Sequence, residues 1–593
     1  MYQNPRITII VAAIAATVFI VGLGAPRLWD EDEAKNSVCG QEMLARGDWI
    51  VPTFNDQLRT DKPILLYWCM IAMYHVIGVS EFSDRLPSAL AGIGSVVLTF
   101  HLGRLMFNAR SGLLASCVFA SALMFAVLAR GATPDSLLIF CITASIASFV
   151  AGVAARRGGH FNGPIDRGTG GPNPIQDHGL PALACVGMYT AMGLAVLAKG
   201  PIGIVMSLGI IGSYLLFFDG VPDATAGSSW LRRMTRYFSP RRIVRIMSTL
   251  RLGWGLPLVA LVALPWYIAV GMDTHGEWII GFLGKHNIGR FTQPLEHHNG
   301  LPIYYLVAIL VGFFPGSVFL PVAIWKMVTT IRRGGSERPA VALLLCWIWC
   351  YVGFFTLAAT KLPNYVVPCY PALAIAVGAW LSMAIDRATA RDWRLRAGYW
   401  TVVVVGIAAT IALAILAHML LKTDPLPALP GVVAVVGGIL CLLVLRRGNV
   451  RGSVVACIVT GLAFTSSAMT YTAYRASQLE EGPVIADRIH ELVATSNGVP
   501  RVATYRYFTP TLVYYLGHAV TRLDSPEDIG TFFDQGGDAL VLQRAVYDQE
   551  RKRLPGNVTV LAEEQRFLRK HDRVVLIGRP TQIARGEARE QSR

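Results

Sequence analysis

Apolar windows of about 20 residues recur along this chain, and that length is what an α-helix needs to cross about 30 Å of hydrocarbon. They lie at residues 7–25, 84–106, 111–129, 134–154, 181–198, 201–218, 253–271, 301–325, 339–359, 364–385, 398–419, 427–445 and 453–471. With 53% of its 593 residues hydrophobic and only 15% charged, the chain has too little polar surface for an ordinary soluble protein. A polytopic α-helical membrane protein with roughly thirteen spans is expected.

One further segment, residues 63–79, is short and rich in Tyr, Trp and His, so hydropathy leaves it ambiguous. Charge resolves it. If 63–79 lies in the membrane interface, the arginine-rich links fall on one side: Arg104 and Arg110, Arg156 and Arg157, residues 232–251, Arg332 and Arg333, residues 387–396 and residues 446–451. That side is cytoplasmic by the positive-inside rule. The acidic loop 26–83, Asp135, Lys199-Gly200, the loop 272–300, residues 361–365 and the C-terminal region then share the exported side. Segment 63–79 therefore reads as a juxtamembrane amphipathic helix, with a cytoplasmic N-terminus. The first window could instead be a cleaved signal peptide, given Gly22 and Gly24-Ala25. Its n-region carries only Arg6, and the apolar run is longer than usual.

The net charge of +15 sits mostly in those links, where it suits anionic lipid and gives no reason to expect a nucleic-acid partner. The ten cysteines lie mostly in apolar windows, with none after Cys457, so no disulfide framework is implied. Cys346 and Cys350, one helical turn apart inside a window, read as packing and not as metal ligands. From about residue 474 the composition turns soluble. Alternating runs at 501–505, 539–542 and 573–577 read as strands, and 483–495 as a helix. The expected organisation is a membrane domain over 1–473 and a small exported α/β domain over 474–593, with a disordered polar end after 579.

The exported face gathers the unusual polar residues. Asp30-Glu31-Asp32-Glu33 follow the first window directly, where unpaired acids are costly and usually functional. At other exported span ends lie Asp61, Lys62, Arg130, Asp135, Lys199, Lys285, His286, Arg290, Lys361 and Tyr365. A single Lys or Arg there can be an interfacial anchor; acids gain nothing from lipid phosphates. Acids beside cations bind a divalent metal, act as a general base or hold a lysine in place. Lysines and arginines at the membrane surface suit a phosphate. Together these groups describe a site for a phosphate-linked substrate whose tail stays in lipid. Exported space supplies no nucleotides, so the natural donor is lipid-borne.

At these positions the chain resembles a known family. Leu28-Trp29 through Asp32-Glu33, Glu42-Met43-Leu44, Gly47-Asp48-Trp49, Asp61-Lys62-Pro63 and Tyr67-Trp68 look like the N-terminal signature of the aminoarabinose transferases that modify lipid A. These belong to the polyprenyl-phosphate-sugar glycosyltransferases of the GT-C fold, which include the protein O-mannosyltransferases. The likeness continues at Pro134-Asp135, Lys199-Gly200, Leu264-Pro265-Trp266, His286, Arg290-Phe291 and Lys361-Leu362-Pro363-Asn364-Tyr365, over most of residues 26–385. It implies a bacterial inner-membrane enzyme moving a sugar from undecaprenyl phosphate to lipid A or to another glycan or protein acceptor. It also implies an essential Asp32 beside the donor and a second acidic position at Asp135; Glu33, next to Asp32, is a further catalytic candidate. Lys62, Lys361 and Tyr365 would lie near the donor phosphate, with Arg130 and Lys199 on the same face as further phosphate-binding candidates, and Asp61 with His286 would form a metal site for zinc, magnesium or manganese. Asp61 departs from the family, which usually has the longer Glu before Lys-Pro. Asp30-Glu31-Asp32 also fits the three-residue D-x-D pattern of metal-dependent glycosyltransferases, and His297-His298 read as a solvated loop.

The glycosyl–phosphate bond is expected to break through an oxocarbenium-like state, by single displacement with inversion. Cations would offset the growing phosphate charge. Asp32 would be the base for a hydroxyl acceptor, and a positioning group for an anionic lipid A phosphate. Two alternatives are a mannosyl- or other glycosyltransferase of the same superfamily, and a non-catalytic flippase or transporter for lipid-linked sugars. The flippase would need charged or broken helices near the midplane in two matching halves, whereas the charges here gather at one face.

Overall fold

The computed structural model describes residues 5–162, 179–218, 237–289, 301, 303–421, 424, 426–492, 499–556, 558–567, 569 and 572–579. Arg290, Phe291, His297, His298 and the end after 579 lie outside them. The first helices are α1 (Pro5–Ile20), α2 (Glu31–Arg46), α3 (Leu65–Ile77), α4 (Glu81–Met106), α5 (Ala109–Ala120), α6 (Leu123–Arg130) and α7 (Asp135–Arg156). There follow α8 (Ala182–Lys199), α9 (Ile202–Phe217), α10 (Leu252–Asp273), α11 (Arg338–Leu357), α12 (Tyr370–Arg387), α13 (Glu481–Leu492) and α14 (Pro510–Leu516), among further helices named here by range.

Nine helices among the described residues are long and apolar enough to cross a membrane, or up to eleven if two bent pairs each make one span. The bent pairs are α5 with α6, at 67°, and Tyr304–Gly312 with Gly316–Arg333, at 116°. The windows at 7–25 and 201–218 become α1 and α9, each 16 residues and hence about 24 Å long. They fall short of a full hydrocarbon crossing, which is why the helices of spanning length are fewer than the roughly thirteen apolar windows. Segment 63–79 forms α3, 13 residues long.

The chain divides into two compact units: Met1–Leu23, Thr60–Met73 and Arg85–Thr472, and Gly24–Arg59, Tyr74–Asp84 and Ala473–Arg593. In the first, the Pro363–Arg387 span is 89% buried, whereas Trp393–Leu420 and Leu252–Asp273 are 22% and 28% buried and leave most of their apolar surface to lipid. Small residues let helices touch where lipid gives no hydrophobic drive. A Cβ on Gly378 of α12 would stand 2.5 Å from the Ala115 amide nitrogen on α5, so only glycine fits that crossing.

The second unit is built on a sheet of β3 (Val502–Tyr505), β4 (Thr521–Leu523), β5 (Ala539–Gln543), β6 (Thr559–Gln565) and β7 (Arg573–Gly578), after a small hairpin of β1 (Thr53–Phe54) and β2 (Gln57–Leu58). The strand order is β4-β3-β5-β7-β6; β3 runs parallel to β4 and β5, and β7 antiparallel to β5 and β6. Strand residues alternate between two cores. Val502, Val541, Val574 and Leu576 pack with Ile485, Ala486 and Ile489 of α13 and with Leu512 and Val513 of α14. Ala503, Tyr505, Leu540, Leu542, Val575 and Ile577 pack with Ile529, Phe532 and Phe533 on the other face. The first core also contains Leu28, Ala34 and Val38, so α2 and its lead-in are part of the α/β layer although more than 400 residues of chain separate them from the rest of it.

Candidate active site

Asp135 begins α7 and Lys199 ends α8, so each charge lies where its helix dipole favours it. Lys199 Nζ donates to Asp135 Oδ1 at 2.6 Å, and Asn364 Nδ2 approaches the same oxygen at 3.3 Å. The pair is largely buried, with side chains 19% and 9% exposed. Gly200 after it has φ 82° and ψ −157°, a conformation that favours glycine and turns the chain into Pro201 and α9. The Lys199 ammonium also faces the Tyr365 ring at 5.7 Å from its centroid, and Phe355 packs on that ring at 4.9 Å.

A second acid–base pair joins distant segments. His286, in the π-helix Gly281–Gly289, contacts Asp61 Oδ1 through Nε2 at 2.9 Å. Gly281 makes this approach possible, since a Cβ there would stand 2.8 Å from Thr60 Oγ1. The His286 Nδ1 atom is buried without a hydrogen-bond partner, as is Asn364 Oδ1. Such atoms are costly unless something else satisfies them.

These residues line one cavity of about 520 Å³. Asp61, Lys62, Asp135, Lys199, His286, Thr360, Asn364 and Tyr365 supply its polar groups, and Leu138, Ile202, Val205, Phe282, Leu283, Phe354 and Phe355 its apolar wall. A charged head and an apolar tail can be held there together. Thr360 and the aromatic wall were not singled out in the sequence, because aromatic residues inside apolar windows look the same whether they face a ligand, lipid or another helix.

Two expected phosphate ligands are engaged elsewhere. Arg130 donates to the carbonyls of Val18, Phe19, Val21 and Gly22 at 2.8 to 3.3 Å, closing the C-terminus of α1, and it does not line the cavity. Lys361 donates to the carbonyls of Thr356 and Ala358 at 3.0 and 2.9 Å, at the C-terminus of α11. Both satisfy helix-end carbonyls that have no partner within their helix. Each cation thus has a helix-closing role of its own, whether or not a phosphate is near.

Asp32 and Glu33 belong to the second unit. Asp30 is the N-cap of α2, its Oδ1 accepting from the Asp32 and Glu33 amides at 3.0 and 3.2 Å. Glu31, Asp32 and Glu33 fill the first turn, where the helix dipole stabilises negative charge. The acidic run thus has a folding role of its own. Asp32 is exposed and Glu33 is 3% exposed.

As a metal centre the site is incomplete. Among the described residues no three His, Cys, Asp or Glu side chains are grouped to hold an ion. Asp61 and His286 supply two donors of the kind zinc uses, where a catalytic zinc takes three from protein.

Comparisons with known proteins follow this geometry. Residues 61–163 match the family described as dolichyl-phosphate-mannose-protein mannosyltransferase. An undecaprenyl phosphate-alpha-4-amino-4-deoxy-L-arabinose arabinosyl transferase of Pectobacterium carotovorum subsp. carotovorum (strain PC1) is 28% identical over 458 residues, 75% of this chain and 73% of that protein. The crystal structure of ArnT from Cupriavidus metallidurans bound to undecaprenyl phosphate has the same fold, with a TM-score of 0.72 at 21% identity over 97% of this chain and 98% of that one. The archaeal oligosaccharyltransferase AglB from Archaeoglobus fulgidus reaches a TM-score of 0.50 at 11% identity, over 91% of this chain and 69% of that one. This chain therefore shares the fold of ArnT, with nine to eleven helices among the described residues fit to cross a membrane, and is similar over most of its length to the undecaprenyl-phosphate-aminoarabinose arabinosyl transferases.

Proposed function

We propose that the chain transfers 4-amino-4-deoxy-L-arabinose from undecaprenyl phosphate to a lipid A-type acceptor at the exported face of the bacterial inner membrane. The observation that carries this reading is the cavity, in which Lys62, the Asp135–Lys199 pair and the Asp61–His286 pair meet an apolar and aromatic wall. That combination suits a phosphate head on a polyprenyl tail, and the chain's similarity to arabinosyl transferases supplies the sugar. The arginine-rich links would face the cytoplasm, with the cavity and the α/β layer exported.

In this reading Lys62 and Lys199 offset the charge that builds on the departing phosphate. Asp135 and Asn364 hold the Lys199 ammonium in place, and Tyr365 presents its ring to the same ammonium. Asp32 takes the proton of a hydroxyl acceptor, or orients an acceptor that is already an anionic phosphate; Glu33 supports it. The anomeric centre inverts in a single displacement. Asp61 and His286 would be the two protein ligands of a divalent cation, which would supply Lewis-acid stabilisation to the phosphate, and no step here depends on it.

The test is transfer of radiolabelled sugar by purified protein in detergent, with undecaprenyl-phosphate aminoarabinose and mannose offered in parallel to lipid A and to a hydroxyl acceptor. Labelling of lipid A from the aminoarabinose donor by wild type, and not by Asp32→Asn, is expected. Labelling only from mannose would favour the second reading, a mannosyltransferase, which the match over residues 61–163 supports.

A further inference from the structure

The lead-in to α2 is fastened by one short helix of the α/β layer. Tyr515 in α14 accepts a hydrogen bond from the Leu28 amide at 2.9 Å and is joined to Glu81 Oε1 at 3.0 Å by its own hydroxyl proton. Its neighbour Tyr514 donates to Asp84 Oδ2 at 2.7 Å, and Tyr74 donates to the other oxygen of Asp84. Arg27 extends the attachment. Its amide donates to Ser477 Oγ, and its guanidinium pairs with Asp487, both at 3.1 Å. Leu28 itself is fully buried in the sheet core. Two residues on, Asp30 caps α2 and aligns the amides of Asp32 and Glu33.

We infer that Tyr515 is a positioning residue for Asp32, so that the C-terminal α/β layer is a working part of the transferase and not an appended module. The inference rests on the reading of Asp32 as the acid that acts on the acceptor. Its physical basis is the short path from the Tyr515 hydroxyl through the Leu28 backbone to the Asp30 cap. That backbone is fixed on one side by apolar packing and on the other by hydrogen bonds. Losing the hydroxyl leaves the Leu28 amide without this acceptor and frees the segment that sets the start of α2. A shift of about 1 Å at a reacting group is enough to cost about 100-fold in rate.

Tyr515→Phe keeps the ring and removes only the hydroxyl. In the full-length protein its kcat per folded molecule, with the folded fraction measured separately by size-exclusion chromatography, should fall about 10- to 100-fold, while the donor KM stays within about 2-fold of wild type. Hydrogen exchange of residues 27–33 should speed up while that of β3 and β5 is unchanged. Asp487→Asn weakens the hold on Arg27 from an exposed position that does not reach the core. It should give the same kcat-selective loss, at about 2- to 5-fold. Because Tyr515 acts through Asp32, Tyr515→Phe combined with Asp32→Asn should be no slower than Asp32→Asn alone. A wild-type kcat in Tyr515→Phe, or losses that simply multiply in the double variant, overturns the inference. An Asp32→Asn single variant that turns over normally overturns the site reading instead, and the inference falls with it.

Discussion

Glu480 offers a prediction whose size follows from its surroundings. It is 7% exposed in the second unit, next to Glu481 and facing Glu31 in the first turn of α2. Burial, then the charge of Glu481 and that of Glu31, push its carboxyl up from 4.5 to about 7, against hydrogen bonds from Thr511 at 3.0 Å and Thr509 at 3.4 Å. Glu481 in turn accepts from the Phe567 amide at 2.8 Å and from the Tyr507 hydroxyl, with Arg566 Nε 3.7 Å away. The unfolded chain releases the Glu480 proton near 4.5, while the folded chain holds it to about 7. Protonated Glu480 therefore stabilises the fold fully below pH 4.5, and the contribution is lost as pH rises to about 7. At about 1.4 kcal/mol per pH unit, the loss across that interval is about 3 kcal/mol. Glu480→Gln keeps a neutral acceptor for Thr511 and cannot ionise. Denaturant midpoints of the full-length protein in detergent, taken between pH 4.5 and 8, should fall with pH in wild type and lie flatter in the variant, which becomes the more stable of the two at pH 8. Parallel profiles would refute the assignment of this pH dependence to Glu480.

Asp135→Asn should leave the Lys199 ammonium without its buried counter-charge, abolish transfer and destabilise the membrane unit by about 3 kcal/mol. Adding Lys199→Met should recover most of the stability in a thermal-shift assay and none of the activity; recovered activity would remove both residues from the mechanism. Lys361→Ala should lower stability by about 1 kcal/mol through the lost cap on α11 and leave the donor KM unchanged in a transfer assay, whereas a tenfold rise in KM would return Lys361 to the phosphate. Arg130→Met should behave alike, with the larger stability loss expected of a side chain that serves four carbonyls. If a divalent cation binds at Asp61 and His286, metal analysis of protein loaded with donor should show about one ion per chain, and markedly less in His286→Ala; a metal-free wild type that still turns over would dismiss it.

The apolar windows determined the helical membrane architecture by themselves, because no other element satisfies its own backbone through a bilayer while presenting only side chains to lipid. Short alternating runs likewise marked the strands β3, β5 and β7. The edge strands β4 and β6, more exposed and less apolar, were not legible. At the cavity, Asp61, Lys62, Asp135, Lys199, His286 and Tyr365 stood out as polar residues at span ends, which is what a site at a membrane face requires. Their pairing did not stand out, since Asp135 meets Lys199 across 64 residues and Asp61 meets His286 across a still longer stretch. Tertiary structure alone decided which cations face the cavity and which close a helix. Lys199 and Arg130 look alike at the ends of apolar helices, yet the first reaches a carboxylate and the second spends its donors on carbonyls. The same holds for α2: its acids stand out in the sequence as a charged run, but their capping of a helix came from the structure, and its membership of the α/β layer depends on contacts between residues 28–38 and 485–576 that no local pattern encodes.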